Sequence, residues 1–333
     1  MSSGNKYISS LSDLRYIYID LRSSDEFLRS HIPGSISVPL ISNVSSKKSR
    51  SRNKLIRERT ALAYTSSEWA DRITQNVSND LPYILICNDG GIRSEFARDA
   101  LIPVNETYIL KGGYRQYRRL VGQTFCEKYK FIVLAGKTGT GKTELLQKLK
   151  LEGFQTLDLE SIADSSGSVF GRIGKTKSQP SQEQFENNIS EALRQLKISE
   201  SIFVEQEHLY LGHNWIPYDL RLQFQNAPKI ILRLPFKERI RLLVEKYSKF
   251  EHTALKSAIM QLAPRIGQDE SDLLVNLVDE AEYSKVAERL LSYYDGSEGY
   301  TEIISGNDII LEEESIGAFL SMIKKIKKET PPV

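Results

Sequence analysis

The sequence predicts an α/β protein of two parts: a parallel sheet covered by helices, then a second α/β domain with a helical C-terminal part. Three observations predict it. Apolar strand-like runs alternate with helical patterns through most of the chain. A thiol loop, Cys87-Asn-Asp-Gly-Gly-Ile-Arg93-Ser94, stands between such a run and a helix. A phosphate loop, Gly136-Lys-Thr-Gly-Thr-Gly141-Lys142-Thr143, stands in the same context. The expected division is 1–125 and 126–333.

In the first part, Tyr16 to Asp20 reads as a buried strand, and Ser23 to Arg29 as a short helix capped by Ser23 or Ser24. His31-Ile-Pro-Gly-Ser turns the chain into a short strand ending at Pro39. A longer helical pattern covers about Ala61 to Val77, and Tyr83 to Ile86 is an apolar strand. After the thiol loop, Arg93 to Ala100 reads as helix, Thr107 to Leu110 as strand and Gly113 to Leu120 as helix.

Cys87 at a strand end, with Gly90 and Gly91 letting the loop curl and Arg93 opening a helix, is expected to face backbone N–H groups and a guanidinium. Such donors stabilise a thiolate nucleophile or hold a terminal sulfur, selenium or phosphate oxygen. A phosphatase reading of the loop is weakened by Asp89, whose charge repels a phosphate dianion.

In the second part, Lys130 to Ala135 is a compact strand. Gly136, Gly139 and Gly141 let the backbone wrap an anion, with Thr138 and Thr140 between them; Lys142 reaches the outer phosphate, and Thr143 can ligate magnesium. Ser201 to Glu205 is a buried strand ending in an acid, so Glu205 or Glu207 could hold magnesium beside the phosphates. Helical patterns follow near Phe236 to Tyr247, Thr253 to Leu262, Asp272 to Leu277 and Glu282 to Tyr294. The basic tail Lys324 to Lys328, before Pro331-Pro332, reads as a frayed end.

Lysines and arginines number 45 against 43 acids, so nucleic-acid contact must be local. The stretch Lys47-Lys-Ser-Arg-Ser-Arg-Asn-Lys-Leu-Ile-Arg-Glu-Arg59 is one candidate; a solvated loop is the alternative. Arg115, Arg118 and Arg119 form a second cluster, and Arg239, Arg241, Lys246 and Lys249 a third, each read as RNA contact or as solvated charge. His31, His208, His213 and His252 show no ligand spacing with Cys87 or Cys126, so no metal site of that kind is expected. Two cysteines, no apolar run long enough for a membrane span and no signal-peptide core point to the cytoplasm.

Asp20-Leu-Arg22, Glu26-Phe27, His31-Ile-Pro-Gly34 and the thiol loop together resemble a rhodanese domain. That resemblance implies that Cys87 carries a persulfide or selenide, cradled by Arg93 and the loop amides. Asp158-Leu-Glu160, Gly167-Ser-Val-Phe-Gly171, Gln179-Pro-Ser-Gln182, Phe185-Glu-Asn187, Val204-Glu-Gln-Glu207, Gly212 and Tyr293-Tyr-Asp295 follow in order. A rhodanese-like domain followed by a P-loop domain with these motifs resembles the tRNA 2-selenouridine synthase family. The resemblance implies a tRNA anticodon arm bearing 2-thiouridine as partner, with geranyl diphosphate and selenophosphate as small-molecule substrates. It also implies that the phosphate loop binds geranyl diphosphate while Cys87 serves the selenium step. Asn88, Asp89 and Gln206 depart from the family pattern. Two other readings stay open: a P-loop ATPase or kinase regulated by its first domain, and a noncatalytic tRNA-binding protein.

Overall fold

A computed structural model describes residues 7–8, 16–40, 69–78, 80–165, 173, 178–207, 209–296 and 305–329. The basic stretch 47–59, the motif 167–171 and His208 lie outside these residues. The chain forms two compact units: Met1–Cys126 with Pro180–Arg194, and Glu127–Gln179 with Gln195–Val333.

The first unit is built on five parallel strands: β1 (Tyr7–Ile8), β2 (Ile17–Asp20), β3 (Ile36–Ser37), β4 (Tyr83–Ile86) and β5 (Thr107–Leu110), in the order β1-β5-β4-β2-β3. All four β4 residues are buried, as expected for a central strand covered on both faces. Helices α1 (Ser24–Arg29), α2 (69–76), α3 (Ile92–Leu101) and α4 (Gly113–Cys126) connect the strands. Ser23 and Glu26 cap α1 reciprocally, which selects Ser23 over Ser24 as its start. Ile19, Leu21, Trp69, Ile73, Leu85 and Leu101 pack in one core, and the Trp69 indole N–H donates to the Val38 carbonyl at 2.9 Å.

The second unit has its own parallel sheet. Its strands are β6 (Lys130–Ala135), β7 (Gln155–Leu157), β8 (Ser201–Glu205), β11 (Lys229–Arg233) and β12 (Ile309–Glu312), in the order β12-β11-β6-β8-β7. The short strands β9 (Tyr210–Leu211) and β10 (Asn214–Trp215) form a separate antiparallel pair. Helices α5 (Lys142–Leu151), α6 (Leu159–Ile162) and α8 (Tyr218–Asn226) link the sheet strands. The predicted helical part is α9 (Phe236–Tyr247), α10 (His252–Met260), α11 (Ala263–Ile266), α12 (Gln268–Asp279) and α13 (Tyr283–Gly296), with a core that includes Leu255, Ile259, Leu274 and Leu290.

The chain then returns to the sheet as β12, an edge strand absent from the sequence reading, and ends in α14 (Ile316–Glu329). The frayed tail is therefore corrected. Lys324 and its neighbours continue an amphipathic helix whose Ile316, Phe319 and Ile323 are buried against the sheet core, and Lys324 pairs with Glu152 at 2.6 Å. Among the described residues no helix is long and apolar enough to cross a membrane.

The helix between β7 and β8, α7 (Gln182–Arg194), packs within the first unit. Its Glu183 accepts from Ser30 Oγ at 2.7 Å and from the Tyr114 hydroxyl at 2.8 Å. The buried Asn187 donates to the His31 carbonyl and the Tyr114 hydroxyl, and Gln184 accepts from the His31 amide. Through Asn187 and the His31 carbonyl the Phe185-Glu-Asn motif is joined to the His31-Ile-Pro-Gly turn, and the bond satisfies the buried amide of Asn187.

Candidate functional site

The thiol loop leaves the carboxyl end of β4 and runs into α3, as its strand-loop-helix pattern requires. Gly90 holds φ at +68°, and a Cβ there would come within 2.5 Å of the Leu110 carbonyl oxygen. On the facing turn a Cβ at Gly113 would lie 2.2 Å from the Cys87 carbonyl oxygen. The loop is thus pressed against the start of α4, whose Tyr114 and Arg115 amides donate to the carbonyls of Cys87 and Asn88 at 2.8 and 3.1 Å. The Gly112-Gly113 pair was the sequence signal for this second wall, and it was not read as such.

Cys87 is fully buried, and its thiol donates a hydrogen bond to Asp89 Oδ1 at 3.4 Å. Asp89 Oδ1 also accepts from the Gly91 amide at 3.1 Å, so one amide of the loop is engaged by the loop's own carboxylate. Burial opposes ionisation of Asp89, but the Gly91 amide, the Cys87 thiol and the nearby Arg93 charge hold its carboxyl below the usual range. Arg93 stands in the first turn of α3, half-buried.

The loop is braced from β2 and α1. Asp20 and Arg22, both buried, form an ion pair of 2.7 Å; Arg22 also donates to the Ser30 carbonyl and stacks 3.6 Å from the Tyr114 ring centroid. Asn88 donates to Glu26 at 2.9 Å, tying the loop to the α1 cap. The second basic cluster separates: Arg115 and Arg119 are exposed, while Arg118 pairs with Glu186 and Asn187 on α7.

In the second unit the phosphate loop curls between β6 and α5. Gly141 has φ +81°, and a Cβ there would lie 2.5 Å from Ile316 Cδ1, because the start of α14 packs on the loop. Gly136 and Gly139 also carry positive φ, Thr140 Oγ1 donates to the Lys137 carbonyl at 2.9 Å, and the Thr138 side chain is exposed. The Lys142 ammonium donates to the Gly136 carbonyl at 2.9 Å and lies 4.0 Å from Glu205. Thr143 Oγ1 donates to Glu205 Oε2 at 2.8 Å, so β8 delivers its terminal acid to the first turn of α5.

Beside this pair, oxygens of Glu160, Glu205 and Glu207 lie within 4.8 Å of one another. Burial, opposed by Lys142 and reinforced by Glu160, pushes the Glu205 carboxyl up to about 7. Burial with the charges of Glu205 and Glu160 pushes Glu207 up to about 9. An all-oxygen set of mutually repelling carboxylates next to a hydroxyl suits a hard divalent cation. Glu160 was missed as a member of this cluster; its signal was the strand-end motif Asp158-Leu-Glu160, in which Asp158 caps α6 through the Ser161 amide.

The loop also has a brace that sequence reading took for solvated or RNA-binding charge. Arg239 is 3% exposed. Its Nε donates to the Thr138 carbonyl at 2.8 Å, and both its terminal nitrogens donate to Asp295 at 2.7 Å. Arg241, by contrast, is exposed and paired with Glu238 and Glu245. A cavity of about 450 Å³ opens over the loop, lined by Lys142, Thr143, the three glutamates, Lys246 and Lys249 among others.

A family model described as the tRNA 2-selenouridine synthase AAA domain matches residues 129–301, and one described as a rhodanese-like domain matches residues 5–120. The chain is similar to the tRNA 2-selenouridine synthase of Sulfurovum sp. (strain NBC37-1), with 30% identity over 257 residues, covering 72% of this chain and 68% of the relative. Proteins of the same description from Nitrosomonas eutropha and Nitrosomonas europaea are 27% and 29% identical, over 67% and 69% of this chain. The chain spans 60% and 63% of the length of those two relatives.

Proposed function

Because the chain belongs to the tRNA 2-selenouridine synthase family, we propose that it converts 2-thiouridine at the wobble position of tRNA into 2-selenouridine through an S-geranyl intermediate. The observation that carries this reading is the presence in one chain of a strand-end thiol loop and a complete phosphate loop with its strand-end acid. The two modules are taken as 1–125, rhodanese-like, and 126–333, P-loop, acting in the cytoplasm.

In the first step the thiouridine sulfur attacks C1 of geranyl diphosphate, the C–O bond breaks and diphosphate leaves, the base giving up its N3 proton to solvent. Lys142, Thr143 and the amides of Gly136, Thr138, Gly139, Thr140 and Gly141 hold the diphosphate and stabilise the charge that grows on it. Glu205 and Glu207, with Glu160, would hold a magnesium ion there, which would supply further neutralisation of the leaving group. In the second step selenium of selenophosphate bonds to C2 of the base and the C2–S bond breaks, geranylthiolate leaving and taking up a proton; water then cleaves the P–Se bond and releases phosphate, alkylation having made the sulfur a better leaving group. Cys87, Gly90, Gly91 and Arg93 serve this selenium step.

The experiment is direct. Thiolated tRNA, geranyl diphosphate and selenophosphate are incubated with the protein, and the nucleosides are separated and weighed by mass spectrometry. Both S-geranyl-thiouridine and selenouridine are expected; a folded protein that makes neither sinks the reading.

A further inference from the structure

Two residues of the sequence motifs, Gln179 and Gly212, take no part in the chemistry. They fit each other. Gln179 is buried; its side-chain NH2 donates to the carbonyls of Ala163 and Leu211 at 2.9 and 3.0 Å, and its side-chain oxygen accepts from the His213 amide at 3.1 Å. Gly212 turns at φ +65°, and a Cβ there would lie 1.9 Å from Gln179 Oε1. The tip of the β9–β10 hairpin is thereby pinned to the end of α6, the helix that carries Glu160.

The pinned hairpin has two faces. Leu211 and Asn214 are register partners and both are buried, whereas Tyr210 and Trp215 are the next pair and both are more than half exposed. Opposed residues of an antiparallel pair project to one side with Cβ atoms about 5 Å apart, so the two side chains stand together on the outer face. The core needs only the inner face; folding does not call for two large rings on the outer one. Three positions after Trp215, Tyr218 opens α8 and is also more than half exposed, with the Arg221 guanidinium 5.2 Å from its ring centroid. The buried Nε of Arg221 has no hydrogen-bond partner among the described residues.

Exposed rings beside a guanidinium suit the unpaired bases of an RNA strand. Every base offers a π-face for stacking, and each is followed by a phosphate that a cation can meet. The surface is also close to the chemistry by covalent necessity. Tyr210 follows Glu205 by five positions, at most about 17 Å of extended chain, and Glu205 accepts from Thr143 of the phosphate loop. A wobble base must leave its stack before its C2 and sulfur can be reached, and its neighbours then lose a stacking partner.

We infer that the outer face of the β9–β10 hairpin, Tyr210 and Trp215, continued by Tyr218 and Arg221 at the start of α8, is a stacking platform for the unpaired bases that flank the reacting uridine. The inference rests on the proposed tRNA reaction and adds the surface that holds the loop open.

The test is fluorescence anisotropy of the full chain with two labelled RNAs: an anticodon stem-loop carrying 2-thiouridine at the wobble position, and a blunt duplex of the same length. Tyr210→Ala and Trp215→Ala should each weaken stem-loop binding by about tenfold or more, while duplex binding moves by less than about twofold. Tyr210→Phe and Trp215→Phe, which keep a ring, should bind the stem-loop nearly as the wild type does. The other tryptophan, Trp69, is buried, so quenching of tryptophan emission by the stem-loop should be lost in Trp215→Ala. Retained binding of inorganic diphosphate shows that the variants are folded. Wild-type affinity for the stem-loop in both alanine variants, or equal losses on stem-loop and duplex, overturns the inference and leaves the tRNA reaction standing. So does a wild-type dimer that Trp215→Ala dissociates with RNA affinity unchanged, which would give the face to a second copy of the chain. If the wild-type protein binds no stem-loop RNA, the reaction reading fails and the platform fails with it.

Discussion

Arg239 on α9 and Asp295 on α13 grip each other through two hydrogen bonds of 2.7 Å, and the same guanidinium holds the carbonyl of Thr138 in the phosphate loop. The arginine is buried, so it needs both partners to offset the loss of water. Its charge and hydrogen bonds, joined by those of Lys137, hold the Asp295 carboxyl below its ordinary range.

Asp295→Ala should therefore leave a buried cation unpaired at the back of the loop. We expect a loss of about 3 kcal/mol in urea unfolding, the lower end for a broken buried pair because Asp295 is partly exposed. Diphosphate affinity should fall in parallel. An unfolding midpoint within error of wild type would remove the brace from the account.

The carboxyls of Glu205 and Glu207 predict a pH dependence of stability. Unfolded, both ionise near 4.5; folded, they keep protons until about 7 and about 9. Between these limits the folded state binds more protons than the unfolded chain, so stability should fall as pH rises from about 5 to about 9 in the absence of divalent cations. Glu207→Gln removes the higher of the two titrations. Unfolding curves at pH 6, 7.5 and 9 should show its slope flattened above pH 7, and millimolar magnesium should flatten the wild-type slope as well.

Asp89 stands against the Cys87 thiol and holds the Gly91 amide, so its charge is expected to repel anions from the sulfur. In a Cys126→Ser background, Asp89→Ala should speed alkylation of Cys87 by the anionic reagent iodoacetate, about tenfold relative to the neutral iodoacetamide. Equal acceleration with both reagents would mean that access, and not charge, was changed.

The two chemical steps should separate by mutation. Cys87→Ser is expected to abolish selenouridine while S-geranyl-thiouridine still forms, and Lys142→Ala to slow geranylation by about 100-fold. Nucleoside analysis by mass spectrometry reads both. Normal selenation by Cys87→Ser would detach the thiol from the reaction.

Much of this architecture was readable from local pattern. Tyr83–Ile86, Thr107–Leu110, Lys130–Ala135 and Ser201–Glu205 are strands over the very residues whose apolar runs suggested them, because a central parallel strand is covered on both faces and buries most of its residues. The phosphate loop was legible for the same reason: its glycines, lysine and threonine act through spacing along the chain. Arg239, Arg118 and Glu160 were not, since their partners stand far away in sequence and a charged side chain looks the same whether buried or solvated. The terminal helix was misread because Lys324 and Lys325 drew attention from Ile316, Phe319 and Ile323 beneath them. Nor did spacing reveal that Asp89 would turn inward onto the thiol.

The placement of α7 bears on how this protein can be dissected. The backbone passes from one compact unit to the other after Cys126, again after Gln179 and once more after Arg194. A fragment ending at residue 126 would keep every strand of its sheet but lose the helix that satisfies Tyr114, Ser30 and the His31 backbone. A cut that respects the folded units has to keep residues 180–194 with the first sheet, although they lie beyond its last strand in the chain.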